Sequence, residues 1–510
     1  MLPLVFLCSR QLVSDHGSLR RALPLIPEEL YPALFRAAFL DKRPLVLQDL
    51  VQRWPFPVLS LQRLLQDDTR HPVQLYQKAN RQCVQTIIMG VMAYLRGQIE
   101  GPPLRKQRLQ LLDMTGSHDD GLEQGPDTLS LWARTVTLAK SCINIAKRRQ
   151  SEETIQVLKR RKGEEKAAPS PAAADPSSIC VEVRVDLFVN STSFSVVREA
   201  LQVGSHGPLR LQCRDIRAEE LSLRSTVRLL ELLNPSSLRQ IDLTFNNLGL
   251  TGLNALLPHV TCFSHLLSLK LPYSNIDVRR LLPAAEEDMQ KFASQICQLS
   301  ALKELNLGSS RISGRLQQLL RGLRTPLESL ELAYCYLLPA DLHYLCQSIH
   351  VSCLKKLDLS GNSLCDILFQ PFLQLLDAVS SSLLLLDLVE CKLRDSALSV
   401  LTPALGRCRS LRYLGLFCNP FSGQGIHTLL QISLHLADLR LVIYPFPVEC
   451  YMDASVWPDS SNAVLDNMID HREAVRFQAE LQDVLARAQR TDVLWTTNLV
   501  LHRPPDYLSV

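Results

Sequence analysis

Apolar residues in the second half of the chain recur in a single frame. The frame L-x-x-L-x-L-x-x-N/C-x-L is complete where it begins at Leu238, Leu354 and Leu411. Looser copies carry Ser, Cys or Tyr at the Asn position, and these begin at Leu266, Leu302, Leu327, Leu383 and Leu436. Successive starts are 25 to 29 residues apart, except for one interval of 36. This period predicts leucine-rich repeats, each with one strand and one amphipathic helix.

The remaining patterns extend this interpretation to the whole chain. Leu109, Leu112 and Met114 fit the frame once, and alternating apolar residues predict a strand at 181–187. The long interval holds an extra segment, 277–290, which we expect to be a loop on the helix side. The predicted fold is therefore an α/β leucine-rich-repeat solenoid, a horseshoe of the ribonuclease-inhibitor class. Its predicted boundaries are a helical N-terminal region at 1–108, a degenerate repeat and basic segment at 109–162, a flexible Pro/Ser-rich linker at 163–178, the solenoid at 179–450 and a helical C-terminal cap at 451–510.

Composition narrows the classes of partner. The chain of 510 residues is 46% hydrophobic with a formal net charge of only +4, so we expect no direct binding of nucleic acid or membrane. Fifteen cysteines, without a C-x-x-C pair, indicate reduced thiols and therefore a cytoplasmic or also nuclear location. Two basic clusters, 147–149 and 159–162, are consistent with a bipartite nuclear import signal; the alternative is a solvated run of charge.

No motif in the sequence indicates catalysis. Phosphate-binding loops, nucleophile elbows and paired metal-ligand signatures are missing from the sequence, so we expect neither an enzyme nor a cofactor, a metal or a small-molecule substrate. His343, Cys346, His350 and Cys353 lie close together, but on a predicted helix and its exit, where core packing is the better interpretation. The Asn side chain of the frame is expected to bond to backbone groups of the neighbouring turn, forming a ladder from repeat to repeat. Cys335 stands at this position in its repeat, as does Cys391, and each is expected to make the same kind of bond.

The side chains between the strand leucines should face the concave inner surface, where solenoids bind partners. The centre of this surface is predicted to be acidic, and the last repeats are expected to expose an apolar and aromatic patch. A protein target with basic and apolar anchor residues would fit it; the alternative is that these residues face only solvent. The candidate partner-binding residues are Asp242, Glu331, Asp358, Asp387, Tyr413 and Phe417.

Two short motifs stand near the N-terminus. Leu4, Cys8 and Leu12 follow at intervals of four on one predicted helix face, a pattern that resembles the elongin-binding BC box of cullin-ligase receptors. The alternative is that this helix face is buried against the protein's own repeats. Downstream, the Φ-P-x-x-Φ-x-x-x-Φ form of a cullin-2 box is matched by Ile26, Pro27, Leu30 and Leu34.

Longer stretches resemble the PRAME family, and within it the leucine-rich-repeat-containing protein 14 subfamily. The resemblance spans nearly the whole chain and is carried by LIPEELYPALFRAAF at 25–39, WPF at 54–56, VEVRVDL at 181–187, GRLQQLL at 314–320, PLESLEL at 326–332, LKKLDLSGN at 354–362, LRYLGL at 411–416 and YPFPVECY at 444–451. It implies a substrate-recognition adaptor of a ubiquitin ligase built from cullin-2, elongin B/C and a RING subunit. The alternative function is a non-catalytic scaffold or inhibitor that masks a signalling protein, for example in NF-kappaB kinase signalling or in transcription. The basic insert around 147–166 departs from the subfamily, and the substrate is not implied by the resemblance.

Overall fold

The structure is a computed structural model of the chain. It describes residues 4–65, 80–100, 109–116, 129–162, 180–205, 207–278, 283–452, 469–499 and 507–509. These residues form two compact units, Met1–Leu238 and Arg239–Val510. The predicted linker at 163–178 lies outside the described residues. No helix in the described ranges is both long and apolar enough to cross a membrane.

The first unit combines a helical N-terminal region with four parallel strands. Its helices are α1 (Leu4–Ser14), α2 (His16–Ala22), α3 (Tyr31–Leu40), α4 (Pro44–Gln52), α5 (Leu61–Leu65), α6 (Arg81–Glu100), α7 (Leu131–Lys162), α8 (Phe194–Gly204) and α9 (Leu223–Glu231). Its strands are β1 (Val58–Ser60), β2 (Leu111–Asp113), β3 (Val181–Val189) and β4 (Leu209–Ala218), which pair in chain order.

Leu109, Leu112 and Met114, which fit the frame in the predicted degenerate repeat, are buried around β2. The strand β1 was not predicted, since no leucine frame marks it.

The second unit repeats one strand and one helix. Its parallel strands are β5 (Gln240–Asp242), β6 (Ser268–Lys270), β7 (Glu304–Asn306), β8 (Ser329–Glu331), β9 (Lys356–Asp358), β10 (Leu385–Asp387), β11 (Tyr413–Gly415), β12 (Leu441–Ile443) and β13 (Leu494–Thr496). The helices are α10 (Gly249–Val260), α11 (Pro283–Ile296), α12 (Leu316–Leu320), α13 (Pro339–Gln347), α14 (Phe369–Val379), α15 (Asp395–Arg407), α16 (Gly423–Ser433) and α17 (His471–Arg487). The predicted α/β leucine-rich-repeat fold is confirmed.

The frame leucines build the core beneath the strands. Leu354, Leu357 and Leu359 of one repeat are buried, as are the equivalent residues of its neighbours. Their neighbours in the chain, at the first and third positions of each strand, lie on the opposite side of the sheet, because side chains alternate along a strand. We call that side of β5–β13 the inner face.

A ladder of Asn side chains joins consecutive repeats. Asn419 Nδ2 donates to the carbonyl oxygens of Leu388 and Leu416, both at 2.8 Å, and its Oδ1 accepts from the backbone of the preceding repeat. The thiol of Cys335 donates to the Leu307 oxygen at 3.3 Å, and Cys391 bonds in the same way, so the predicted ladder cysteines are confirmed.

Three details differ from the sequence predictions. Leu441 pairs with Tyr413, so the last frame begins at Leu439 rather than Leu436, and Ile443, not Arg440, takes the inner-face position. The segment predicted as a loop at 277–290 is helical from Pro283, as part of α11. Ser274 and Ser310 stand at the Asn position of the frame, where a hydroxyl would be expected to bond weakly, but their hydroxyls make no hydrogen bond within the described part of the chain.

Candidate functional site on the N-terminal helix and the inner face

Helix α1 presents the predicted elongin motif to solvent. Leu4 is 76% exposed, Leu12 is 45% exposed and the Cys8 thiol is exposed, so the i, i+4, i+8 stripe lies on an uncovered helix face. Ser9 and Val13 are buried on the other side of the helix. The alternative interpretation, burial of the stripe against the protein's own repeats, is wrong for this structure.

Polar and aromatic contacts fix α1 on the rest of its unit. The guanidinium of Arg10 donates to both carboxylate oxygens of Asp41, just beyond α3, at 2.7 to 3.1 Å. Arg36 of α3 lies over the Phe6 ring, 5.6 Å from its centroid. Because these contacts use the side of α1 away from Leu4, the stripe is held in place without being covered.

The segment that resembles a cullin box is only partly accessible. Pro27 is exposed, and Ile26 and Leu30 are partly exposed in the turn before α3. Leu34, however, is 1% exposed and belongs to the core of the unit, because it faces inward from α3. The prediction that Leu34 contacts a partner is therefore corrected, and the accessible part of the motif is Ile26, Pro27 and Leu30.

Charges on the first half of the inner face are largely paired. Lys270 Nζ lies 3.6 Å from the Glu304 carboxylate, and Lys356 Nζ donates to Glu331 at 2.9 Å. The Asp242 carboxylate accepts from the backbone N–H of Thr244 at 3.0 Å. Two of the predicted acidic residues, Asp242 and Glu331, are thus committed to intramolecular contacts. The predicted acidic centre is weaker than the sequence suggested.

Asp358 and Asp387 form a pair on adjacent strands of the inner face. Burial, together with the charges of Asp387 and Glu331, raises the pKa of Asp358 to about 7. Burial also raises the pKa of Asp387, although Tyr413 donates to its Oδ2 at 3.2 Å. The Oδ1 atom of Asp387 has no partner among the described residues. Gly415 leaves room for this pair, because a Cβ there would displace the Asp387 carboxylate.

The predicted apolar patch of the last repeats is covered. Tyr413 is 1% exposed and lies in a cluster with Leu385 and Ile443. Phe417 packs against this cluster and is only partly exposed. Leu499, from the segment after β13, packs against the same cluster. The prediction that Tyr413 and Phe417 form an exposed patch is therefore wrong. The sequence assigned 451–510 to a cap and gave no sign that it contributes to the inner face.

A second contact of the C-terminal segment lies at the start of β8. Tyr507 Oη donates to the Glu328 carboxylate at 2.6 Å, and Lys303 and Lys355 donate to the same carboxylate at 2.7 and 2.6 Å. Burial alone would raise the pKa of Glu328, but these three hydrogen bonds lower it to about 2. The 179 residues between Tyr507 and Glu328 explain why no local sequence signal reveals the contact.

The histidine and cysteine group lies on α13 and just beyond it, and of its four residues only His350 belongs to the core. His350 is buried, and its Nδ1 accepts from the backbone N–H of Leu327 at 3.0 Å. Over the described ranges, no three His, Cys, Asp or Glu side chains are grouped so that they could hold a metal ion.

Comparison with known proteins places the whole chain in one family. Residues 3–120 match the PRAME N-terminal domain and residues 186–503 match the PRAME C-terminal domain. The chain is 61% identical to leucine-rich repeat-containing protein 14 of Xenopus laevis and 44% identical to that of Homo sapiens, and both alignments cover 100% of each chain. Among solved structures it is similar to the leucine-rich repeat-containing protein LegL7 from Legionella pneumophila, with a TM-score of 0.35 and 15% identity over 55% of this chain and 89% of that chain. The resemblance inferred from the sequence is confirmed, and this chain belongs to the PRAME family.

Proposed function

We propose that this protein is a non-catalytic substrate-recognition adaptor of a cullin-2, elongin B/C and RING ubiquitin ligase. The observation that carries the proposal is the exposed stripe of Leu4, Cys8 and Leu12 on α1. An amphipathic helix that binds a groove must offer apolar residues at this spacing on an accessible face. Ile26, Pro27 and Leu30 would then meet the cullin.

The exposure of the stripe favours an adaptor over a helix that only caps its own domain. Large apolar side chains left in water lose the transfer free energy that a partner surface would supply, about 25 cal/mol per Å² of apolar area. Leu4 and Leu12 are joined by Val5 and Leu7, which are also exposed on α1. A contiguous apolar surface of this kind on one helix is typical of a binding site.

The inner face of the second unit would hold the target. Repeat proteins of this class bind other proteins, and the family and fold support protein binding in general. The adaptor's contribution to ubiquitin transfer would be proximity, since a target held near a charged enzyme reacts at a raised effective concentration. We place this activity in the cytoplasm, with nuclear import through the basic clusters of α7 as the alternative.

Replacement of Leu4 and Cys8 by Asp is expected to abolish co-purification of elongin B, elongin C and cullin-2. Two carboxylates would have to be buried without partners at the centre of the contact, which costs several kcal/mol. The measurement is recovery of the three proteins with the tagged full-length chain from cells that express all of them.

The matched control is Leu45→Asp, which changes a leucine that is 59% exposed at the start of α4. It should leave the recovery unchanged, and the melting temperatures of both variants should equal that of the wild type. If the wild-type chain recovers none of the three proteins, the adaptor proposal is wrong. The alternative, a scaffold that masks a signalling protein, would then be preferred.

A further inference from the structure

We propose that a row of aromatic side chains, along the loops after β5, β6 and β8, binds arginine side chains in an extended segment of a partner protein. The aromatic row consists of Phe245, Tyr273 and Tyr334, and it ends at the carboxylate of Glu390 in the loop after β10. These loops border the inner face. The inference therefore rests on the proposed function in one respect, because it names the class of target that this unit would hold.

The aromatic row occupies one position of the repeat. Phe245, Tyr273 and Tyr334 are each the eighth residue of their leucine frame, and each has a left-handed backbone, with φ of +61°, +56° and +55°. Four other frames share this backbone, with φ from +54° to +69°, and carry Ser309, Gly361, Glu390 and Cys418 at this position. A left-handed residue here is thus a property of the repeat, and glycine or asparagine adopts it with the least strain.

Two of the three rings gain little burial in return for this backbone. Phe245 is 50% exposed and Tyr273 is 48% exposed, and their rings stack with centroids 4.5 Å apart and planes 25° apart. A bulky residue with a left-handed backbone costs conformational free energy that its own packing would ordinarily offset. Large exposed apolar side chains that lie side by side are typical of a binding surface. A partner therefore explains the stacked pair better than the fold does.

The third ring leads to a carboxylate. A Cβ at Gly361 would lie only 2.1 Å from Cδ1 of Tyr334, so the Tyr334 ring lies directly over this glycine. The ring thereby crosses the intervening repeat, and its hydroxyl donates to Glu390 Oε2 at 2.7 Å. A carboxylate has two oxygens that each accept more than one hydrogen bond, so Glu390 can also accept from a partner. The aromatic row thus offers ring faces at one end and an anionic acceptor at the other.

Arginine combines the two properties that this surface selects. Its planar guanidinium stacks on an aromatic ring and donates two parallel hydrogen bonds to a carboxylate, whereas the ammonium group of lysine is a compact point charge. A carboxylate at the end of the aromatic row disfavours the phosphates of a single-stranded nucleic acid, which is the other ligand that stacks on rows of aromatic side chains.

The same loops already contain a contact of this kind. The guanidinium of Arg311 lies 5.7 Å from the centroid of the Tyr336 ring and donates to the Asp277 carboxylate at 3.1 Å. Tyr336 is exposed and left-handed, and it lies in the same loop as Tyr334. An exposed ring and a carboxylate thus hold an arginine within the chain. The aromatic row and Glu390 offer the same two groups to an arginine of a partner.

The length of the aromatic row sets the spacing of the arginines. Tyr273 and Glu390 are four repeats apart, and neighbouring strands lie about 4.8 Å apart, so the two ends are about 19 Å apart. An extended chain rises about 3.3 Å per residue, so six residues span about 20 Å. Two arginines six residues apart can therefore reach both ends.

The test uses the full-length chain and a fluorescent synthetic peptide in which five glycine and serine residues separate two arginines. By fluorescence anisotropy, we expect this peptide to bind at least about fivefold more tightly than the same peptide with lysines. Phe245→Asn combined with Tyr273→Asn should weaken the arginine peptide at least about fivefold, and Glu390→Gln about threefold. The melting temperature of the double variant should equal or exceed that of the wild type, because asparagine tolerates the left-handed backbone.

The matched controls change residues of the same kinds away from the aromatic row. They are Trp132→Asn at a 40% exposed position of α7 and Glu287→Gln at an exposed position of α11, and both should bind the arginine peptide as the wild type does. If the double variant does not fold, Glu390→Gln decides the question, since it changes only one charge at a partly exposed residue.

Four results would overturn the proposal. They are equal binding of the arginine and lysine peptides, undiminished binding by Glu390→Gln or by a folded double variant, no binding of the arginine peptide, and tighter binding of a single-stranded oligonucleotide. The assay contains neither elongin nor cullin. Its failure is thus separate from a failure of the adaptor proposal, which is tested on α1.

Discussion

Asn419→Ala should destabilise the protein by about 3–5 kcal/mol, one of the largest losses available from a single substitution. The side chain is fully buried and makes four hydrogen bonds, three to the preceding repeat and one to Leu416 of its own repeat. Alanine would leave two carbonyl oxygens and two backbone N–H groups without partners in the core. Each unsatisfied buried group costs about 1–3 kcal/mol, partly relieved by relaxation. Urea denaturation followed by circular dichroism measures the loss.

The matched control occupies the same position of another repeat. Ser310 is fully buried at a ladder position, but its hydroxyl makes no hydrogen bond within the described residues. Ser310→Ala therefore removes a buried hydroxyl that contributes nothing, and we expect a change within about 1 kcal/mol. If the two alanine variants lost the same amount of stability, the ladder hydrogen bonds would not be what couples the repeats.

The regular repeats could be predicted because their signal is local and periodic. A leucine frame places a strand and its buried residues without any knowledge of the neighbouring repeats. The one register error, Leu436 for Leu439, arose because a frame started at Leu436 meets Leu439 and Leu441 at its leucine positions, whereas the start at Leu439 meets Val442 and Tyr444 there. The strands β1 and β13 were not predicted at all. Each carries too few leucines to show the frame.

The candidate site could likewise be predicted only in part from the sequence. The stripe on α1 could be predicted because residues at intervals of four share a helix face wherever the helix lies. The exposure of the stripe could not be predicted, because it depends on how α1 and α3 pack, and this packing buries Leu34 but leaves Leu4 exposed. The cluster that contains Tyr413 is also packed by Leu499, which is far along the chain. No pattern within a repeat encodes such a contact.

The pair of inner-face carboxylates predicts that the protein loses stability as the pH rises from about 5 to 7.5. The pKa of Asp358 is raised in the folded protein, to about 7, above its ordinary value near 3.9 in an unfolded chain, so the folded state binds more protons in this window. Stability therefore falls as the pH rises through the folded pKa. A shift of three units would be worth about 4 kcal/mol for an isolated group. Because the titration of Asp358 is coupled to that of Asp387, and the ammonium group of Lys356 lowers the pKa of Asp387, we expect about 1–3 kcal/mol.

Asp387→Asn isolates this effect from other titrations. Burial lowers the pKa of His350, and this gives the opposite trend, since the stability it contributes is lost as the pH falls. His350 is common to both proteins and cancels in their difference. Asparagine keeps the acceptor for Tyr413 but removes the charge that faces Asp358. The variant should thus be more stable than the wild type at pH 7.5, by about 1–2 kcal/mol, and nearly equal to it at pH 5.

Urea denaturation at the two pH values measures both differences, with Asp377→Asn on the exposed end of α14 as the control. The control removes one carboxylate of the same kind from the surface and should leave the wild-type pH dependence in place. A wild-type stability that did not fall between pH 5 and 7.5 relative to Asp387→Asn would mean that both carboxylates are ionised in the folded protein. The inner face would then carry two full negative charges, and a basic residue in the target would become the expected partner for them.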